Sequence, residues 1–508
     1  MKLVCAALTA LVSFTTAMAH AADQRTTALL HQALDAQGGE EKLRALKSVQ
    51  WEAAGYRSMV EQSERPEGPY VTQFFTTSEI HDFQHDRYRS DTESSVYPTW
   101  KFNTSSAFSG GVVMLGTGDR STAGNPEVAR QIRERMALEP ERLLVTAFDA
   151  PDVHAEPDTI LQSVPQNVVA FTLDDAPVRI YLNAYTHLPT AVDYSGQLAQ
   201  TGAASFRGEA TMRTWYTFWW LAKGGVHLPL QWNTEKYGLP DQMYVIKKLQ
   251  MDAPIEEAKF AIPDKIREQY RKASSLSVEQ VPLVTDSAKD LAPGIVFFPG
   301  SWNVTIIRQQ DGVVILEAPI LSGYSARVIA DAHKRFPGVP IKGVITTSDS
   351  WPHLAGIREY ITQGIPVYAL DLNQPMVERI IADAHKTVPD ALEKSPHTPD
   401  LHLISGKAIL GEGPNRIELY PLRGETSERQ MTVYFPERHL LYGSDSFQQD
   451  QNGAYIFPQA VTEVVDAVSR EHLQVDQFFM MHIGPTPWSD LAKAIAAAEA
   501  EDTPNGVL

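Results

Sequence analysis

The chain has 508 residues, 43% of them hydrophobic, enough to bury a large core and to predict two domains. Its 44 basic and 62 acidic residues leave a formal net charge of −18, a field that repels phosphate backbones and anionic lipid, so nucleic acid is excluded as a partner. The single cysteine, Cys5, falls in the leader described next. Disulfides, thiolate nucleophiles and cysteine metal ligands are therefore excluded from the remaining chain, and any metal site must use His, Asp, Glu or water.

Residues 1–21 read as a signal peptide. Lys2 gives a positive start, Leu3 to Ala17 is apolar and uncharged, and Ala17-Met18-Ala19 offers the small-x-small pattern of a cleavage site. Cleavage after Ala19 or after Ala21 fits equally. The expected location is periplasmic or secreted. No later stretch reaches the roughly 20 apolar residues of a membrane-spanning helix.

Residues 22–272 read as a β-rich domain. Thr27 to Leu46 is an amphipathic helix interrupted at Gly38-Gly39. Strands are expected at Val49–Val60, Tyr70–Phe83, Phe102–Leu115, Val168–Leu173, Val178–Leu188, Glu209–Leu221 and Leu230–Met251. Lys223-Gly224-Gly225 is a hairpin turn, and Val128–Leu138 is a helix between strands. The expectation is one large curved antiparallel sheet over a helix. His81-Asp82-x-x-His85-Asp86 reads as solvated polar residues on strand and turn, and the aromatic run Trp215, Tyr216, Phe218, Trp219 and Trp220 reads as core or as a groove wall. The opening, with its Gly-Gly turn and "LRALKSVQWEAAGY", is similar to periplasmic lipoprotein-carrier-like domains, half-barrels that can hold acyl chains.

Residues 273–292, serine-rich and weakly periodic, read as a linker. From 293 to 508 strands alternate with helices. Strands are expected at Ile295–Phe298, Asn303–Arg308, Val313–Glu317, Ile341–Thr346, Ile365–Leu370, Ile417–Pro421, Met431–Phe435 and Leu440–Tyr442. Helices are expected at Ser325–Phe336, His353–Gln363 and Pro375–His385, with a capped surface helix from Ser489. This alternation indicates a layered α/β architecture.

"GVITTSDSWPHLAGIREYITQGIPVYAL" resembles the signature segment of the metallo-β-lactamase superfamily, in which a strand ends in Thr-His-x-His-x-Asp-His. Thr347 holds the threonine position. Ser348 and Ser350 stand where the first two histidines belong, Pro352 replaces the aspartate, and only His353 survives. Ala355-Gly356 occupies the glycine pair. Downstream, Gly424-Glu425-Thr426 stands for Gly-His-Thr, Gly443-Ser444-Asp445 for the Gly-Asp element, and His482 for the final histidine. The resemblance spans about Leu291 to Leu491 and implies an αββα sandwich following the N-terminal sheet, hence an α+β chain overall.

What the resemblance implies about chemistry follows from the substitutions. The first metal position keeps only Ser348, Ser350 and Glu425, and neutral hydroxyls are poor zinc ligands beside imidazole. The second keeps His353, Asp445 and His482, and two His with one carboxylate suffice for a mononuclear site with open coordination. One divalent metal, zinc before others, or none are the two readings left open. With a metal, the expected activity is hydrolysis of an ester or amide in a small-molecule or lipid-like substrate, Glu425 serving as general base or orienter. Without one, the chain is a non-catalytic binding or carrier protein with a retired hydrolase domain. A third arrangement uses Ser348 or Ser350 as nucleophile, His353 or His482 as base and Asp445 or Glu425 as orienter, but no G-x-S-x-G elbow accompanies it. Ser350 could instead cap the helix before His353. Glu317 is expected to orient the first loop by hydrogen bonding.

Overall fold

A computed structural model describes residues 24–60, 65, 67–96, 100–196, 198, 207–273, 278–449, 453, 455 and 458–499. The expected leader over residues 1–21, with Cys5, lies outside them.

The chain enters through α1 (24–37) and α2 (Glu40–Ala45). The break falls at Gly38-Gly39, where φ is +129° and +105°. A Cβ at Gly38 would lie 2.4 Å from the Gly225 carbonyl oxygen, so glycine is what lets this turn touch the far hairpin. There follow β1 (Ser48–Ser58), β2 (Thr72–Asp82), β3 (Arg87–Val96), β4 (Trp100–Ser109), β5 (Val112–Thr117) and β6 (Arg120–Ala123). Next come α3 (Pro126–Leu138) and α4 (Leu143–Asp149). β7 (His154–Leu161), β8 (Val164–Leu173), β9 (Ala176–Asn183), β10 (Pro189–Tyr194), β11 (Met212–Leu221), β12 (His227–Lys236) and β13 (Leu239–Met251) complete the domain. α3 starts where its sequence says it should: Asn125 accepts the Val128 N–H at 3.0 Å, and Pro126 takes the first helical position.

These strands form one 13-stranded sheet ordered β6-β5-β4-β3-β2-β1-β13-β12-β11-β10-β9-β8-β7. Neighbours pair antiparallel throughout, so the chain meanders outward from β1 and returns on its other side. One core joins Leu30 and Leu34 of α1 and Leu144 of α4 to Trp51, Val169, Ile180 and Trp232 on the strands. A second packs Ala129, Ile132 and Met136 of α3 against Tyr88, Phe108 and Val113. The aromatic run on β11 divides: Tyr216 is buried, whereas Phe218 and Trp220 are exposed, because a left-handed φ of +54° at Phe218 interrupts the strand's alternation.

His81 and Asp82 correct the sequence expectation. They are buried, at 0% and 1% exposure, and not solvated.

After α5 (Asp264–Lys272), part of the stretch read as linker is structured, since β14 (Lys289–Ala292) is the edge strand beside β15 (Ile295–Phe298). β16 (Val304–Gln309), β17 (Gly312–Leu316), α6 (Ser322–Arg335), β18 (Ile341–Ile345), α7 (Trp351–Leu354), α8 (Ile357–Thr362), β19 (Val367–Leu370), α9 (Gln374–Ala382), α10 (Ala391–Lys394) and β20 (Leu401–Ile404) complete a seven-stranded sheet in chain order. From β17 to β20 the pairs are parallel, with helices as crossovers. A six-stranded sheet follows: β21 (Ala408–Leu410), β22 (Ile417–Pro421), β23 (Met431–Phe435), β24 (Leu440–Tyr442), β25 (Gln477–Phe479) and β26 (Thr486–Pro487). Between β24 and β25 runs α11 (Pro458–Arg470), and α12 (Ser489–Glu499) follows β26.

Ile307, Leu316 and Ile345 of the seven-stranded sheet share a core with Leu419, Val433 and Phe479 of the six-stranded one. Val328 of α6 and Ile361 of α8 pack on the other face of the former. Val461 and Val464 of α11, with Leu491 of α12, pack on the other face of the latter. The loops leaving β17, β18, β24 and β25 at their C-terminal ends are therefore brought to one rim, where parallel-strand folds place ligands.

Candidate active site

Each functional side chain sits just past a buried strand. Thr347 and Ser348 follow β18, His353 lies on α7, Asp445 follows β24 and His482 follows β25. Backbone bonds knit the loops together: Met431 N–H donates to the Thr347 carbonyl at 3.0 Å, Met481 N–H to Ser444 at 3.0 Å and Asn303 N–H to Met481 at 2.8 Å. Ser444, beside Asp445, adopts φ +62°, and Glu317 adopts +76°; left-handed backbone at residues other than glycine persists where surrounding contacts impose it.

His353, Asp445 and His482 converge, with one ligand atom of each within 4.8 Å of the others. His482 Nε2 lies 3.3 Å from Asp445 Oδ1, and His353 Nδ1 lies 3.6 Å from Asp445 Oδ2. His482 Nδ1 is 2.7 Å from the Ser301 carbonyl oxygen, which can only accept, so Nδ1 carries a hydrogen. Nε2 of His482 therefore faces a carboxylate oxygen across a gap that a cation or a second proton would fill. His353 is fully buried, which drives its pKa well below the usual imidazole value, so the ring is neutral. Among the described residues its buried Nε2 has no hydrogen-bond partner. Burial also lifts the Asp445 carboxyl to about 6 against the opposing pull of His482 and Gln448.

Ser348 Oγ lies 2.8 Å from His353 Nδ1. Asp445 approaches that same nitrogen. A nucleophile–base–orienter relay needs its serine and carboxylate on opposite ring nitrogens, so Ser348, His353 and Asp445 are not arranged as one. Ser350 occupies the N-cap position of α7, but its side chain makes no capping bond; its carbonyl takes the His353 N–H at 2.9 Å, while its buried hydroxyl has no hydrogen-bond partner among the described residues. Glu425 is not drawn to the cluster. It is exposed, and its loop is held instead by Thr426, whose N–H donates to Glu463 of α11 at 2.9 Å.

Glu317 does orient the first loop, accepting the Thr347 hydroxyl, and Thr347 Oγ1 is also 2.8 Å from Ser444 Oγ. Burial raises the Glu317 carboxyl to about 8 against the Thr347 and Tyr442 hydrogen bonds. Ser301, Ser444 and Gln430, whose Oε1 accepts the Asp445 N–H at 3.2 Å, were not legible in the sequence, since a carbonyl, a backbone twist and an amide carry no motif.

Arg207, and Tyr237 from the turn between β12 and β13, reach this site through Trp351. Arg207 lies 5.0 Å above the Trp351 ring and 4.5 Å above Tyr237, and Tyr237 meets Trp351 edge-on at 6.0 Å. Arg207 is held in place by Asp383, Nη2 to Oδ1 at 3.1 Å.

A second trio, Glu79, His81 and Glu139, also has metal-ligand spacing. It explains itself without an ion. Both His81 nitrogens face carboxylates, Glu141 at 3.0 Å and Glu79 at 3.1 Å, and Arg135 reaches Glu79 at 2.8 Å. Those carboxylates overcome burial and raise the His81 pKa to about 10, so the cluster is an imidazolium between two anions.

No protein-family model matches the chain, and no curated protein matches it. Among solved structures, the DIM-1 metallo-β-lactamase is 16% identical with a TM-score of 0.33, over 42% of this chain and 96% of that one. The metallo-β-lactamase from Pontibacter korlensis is 16% identical with a TM-score of 0.33, over 42% and 99%. The sec-alkylsulfatase Pisa1 from Pseudomonas sp. is 16% identical with a TM-score of 0.31, and the match spans 41% of this chain and 40% of that one. These neighbours are metallo-β-lactamase-fold proteins, and at such identities and scores they say nothing of ligand or reaction here. Among the described residues no helix is long and apolar enough to cross a membrane.

Proposed function

We propose that the chain is an exported hydrolase-like protein of the metallo-β-lactamase fold, an N-terminal curved antiparallel sheet joined near residues 273–292 to an αββα sandwich. Its site would take one divalent metal, zinc before others, on His353, Asp445 and His482. The substrate would be a small-molecule or lipid-like ester or amide. The observation that carries this reading is the His482–Asp445 face, where an imidazole with its Nδ1 hydrogen committed to Ser301 turns Nε2 toward a carboxylate 3.3 Å away. A backbone carbonyl fixing the tautomer of a ligating histidine is the usual outer partner of a metal site.

When bound, a divalent cation supplies Lewis acidity, which polarises a carbonyl or activates water near neutral pH. The chain's own residues do the rest. Ser301 fixes the His482 tautomer, and Glu317 with Thr347 and Ser444 holds the two loops in register. The export setting rests on the apolar leader.

The test is the metal content of the purified full chain together with its thermal midpoint on adding zinc, manganese or iron. Near one equivalent and a rise in midpoint are expected. Less than about a tenth of an equivalent, with no rise under saturating metal, would replace this reading by the non-catalytic binding protein. Ser348 lying 2.8 Å from His353 Nδ1, already engaging a nitrogen a metal would use, is what favours that second reading.

A further inference from the structure

Phe218, Trp220 and Leu221 of β11 are 73%, 61% and 59% exposed, three large apolar side chains within four positions of one strand. Single exposed apolar residues are ordinary, but a contiguous group marks a contact surface. Its origin is the backbone at Phe218. Strict alternation would place Phe218 and Trp220 on the inner face with Tyr216, and Trp219 on the outer one. At Phe218, however, φ is +54°, and the ladder passes from Thr217 opposite Gln231 to Trp219 opposite Pro229 without a pair between them. Trp219 thereby turns inward, meets the Tyr216 ring edge-on at 6.2 Å and packs on the core, while Phe218 and Trp220 turn out. Left-handed backbone at an aromatic residue is costly, and here it exchanges one outward ring for two. Core packing alone gives no reason for that exchange.

Charge sets the same hairpin apart. Residues 210–234 contain no Asp or Glu in a chain of net charge −18, and they carry Arg213, Lys223 and His227. Lys223 is exposed in the turn just past the apolar group. Lys42 joins it, since a Cβ on Gly225 would come within 2.8 Å of the Lys42 Nζ. Glu235, the nearest acid further along the strand pair, sits opposite Arg213, roughly 26 Å along the strands from Leu221. Exposed aromatic and leucine side chains bordered by lysines are what a bilayer interface takes, rings at the headgroup level and ammonium groups reaching the phosphates. A second copy of the chain is a poorer partner, because each copy carries the −18 charge. The same field opposes a strongly anionic lipid surface, so the matching surface is a zwitterionic one.

We propose that the tip of the β11–β12 hairpin is a membrane-contact surface. Phe218, Trp220 and Leu221 enter the headgroup–acyl boundary of a zwitterionic phospholipid layer, with Lys223 and Lys42 on its phosphates. Three side chains bury far less apolar area than a spanning helix, so the attachment is peripheral and reversible. The inference stands independently of whether His353 holds a metal.

The probe is a phosphatidylcholine vesicle, plain in one set and with brominated acyl chains in another, mixed with the full chain. Flotation reads binding, and quenching of tryptophan fluorescence by bromine reads insertion; both are expected. Phe218→Gly removes the ring at a left-handed position where glycine is at home, and Trp220→Ser and Leu221→Ser alter exposed positions. The fold should therefore survive, which an undiminished denaturation midpoint checks. Each variant should lower the partition coefficient by about threefold to tenfold, and the three together should abolish flotation. His353→Ala should leave it unchanged. The proposal is overturned if the chain does not float at about 5 mM phosphatidylcholine, or if the triple variant still floats. It is equally overturned if binding appears only with anionic lipid and vanishes at about 0.5 M salt. A dimer in sedimentation velocity that the triple variant dissociates would overturn it too, giving the surface to a second copy.

Discussion

His482 and Asp445 face each other at 3.3 Å with the hydrogen of the imidazole committed to the opposite side, on the Ser301 carbonyl. Metal affinity should therefore follow the cluster and not the wider motif. His482→Ala and His353→Ala are each expected to lower zinc affinity by about tenfold to a hundredfold or more, the scale on which even outer partners of metal ligands act. Glu425→Gln should leave it unchanged, because Glu425 is exposed on a loop held through Glu463. Competition titration with a chelating dye on the full chain reads all three, and an effect of Glu425→Gln equal to that of His482→Ala would place the metal elsewhere.

Most of the C-terminal layout was legible because its strands are buried on both faces and read as short apolar runs, such as Ile295–Phe298 and Val313–Leu316. The convergence of His353, Asp445 and His482 was legible from motif order alone. The N-terminal part was legible as one large antiparallel sheet, but several of its strands were not. β3, with the sequence RYRSDTESSV, carries four charges and no apolar alternation, because its contribution is ladder pairing with β2 and β4 and only Tyr88, Ser94 and Val96 are buried. β12 and β13 read as one strand because their turn, Tyr237-Gly238, carries a single glycine. Glu79, His81 and Glu141 could not be paired from sequence, since Glu141 is 60 residues from His81 and meets it only through the packing of α3 on the sheet.

Gly356 is a close-approach position. A Cβ there would lie 2.9 Å from the Ala318 carbonyl oxygen and 2.2 Å from Ser325 Oγ, and the first of these is backbone that cannot rotate away. Gly356→Ala should therefore destabilise the fold by about 1–3 kcal/mol, the usual scale of overpacking. Because Gly356 N–H donates to Ala318 at 2.9 Å and α7 precedes it immediately, the shift should carry His353 with it. Chemical denaturation and zinc titration should worsen together; a stability loss with unchanged zinc affinity would show that α7 is anchored independently of Gly356.

The His81 imidazolium predicts a specific pH dependence. Its folded pKa, raised to about 10, lies above the ordinary 6.5, so its contribution to stability is fully present below pH 6.5 and is lost as pH rises through 10. His81→Gln should cost about 3–5 kcal/mol at pH 6, because it leaves Glu79 and Glu141 buried around a neutral group. The same substitution should cost much less at pH 10.5, where the native ring has itself been discharged. Denaturation midpoints of both proteins at the two pH values test this, and a constant difference between them would mean the ring is neutral throughout.

Arg207 joins the β12–β13 turn to the helix that carries His353. Its guanidinium pairs with Asp383 and lies between the faces of Tyr237 and Trp351, at 4.5 and 5.0 Å, while Trp351 itself is fully buried. Arg207→Leu keeps much of the volume but leaves Asp383, only 16% exposed, beside an apolar group and removes two cation–π contacts. Loss of a buried partner is worth about 3–5 kcal/mol and such contacts about 0.5–2 kcal/mol each, so a clear fall in denaturation midpoint is expected. Arg207→Lys restores the charge without the planar fork and should recover only part of it. If the N-terminal domain merely abuts the other, both variants will unfold in two separated transitions with zinc affinity unchanged. If it positions α7, Arg207→Leu will weaken zinc binding while the chain is still folded, and Arg207→Lys will fall between it and the native protein.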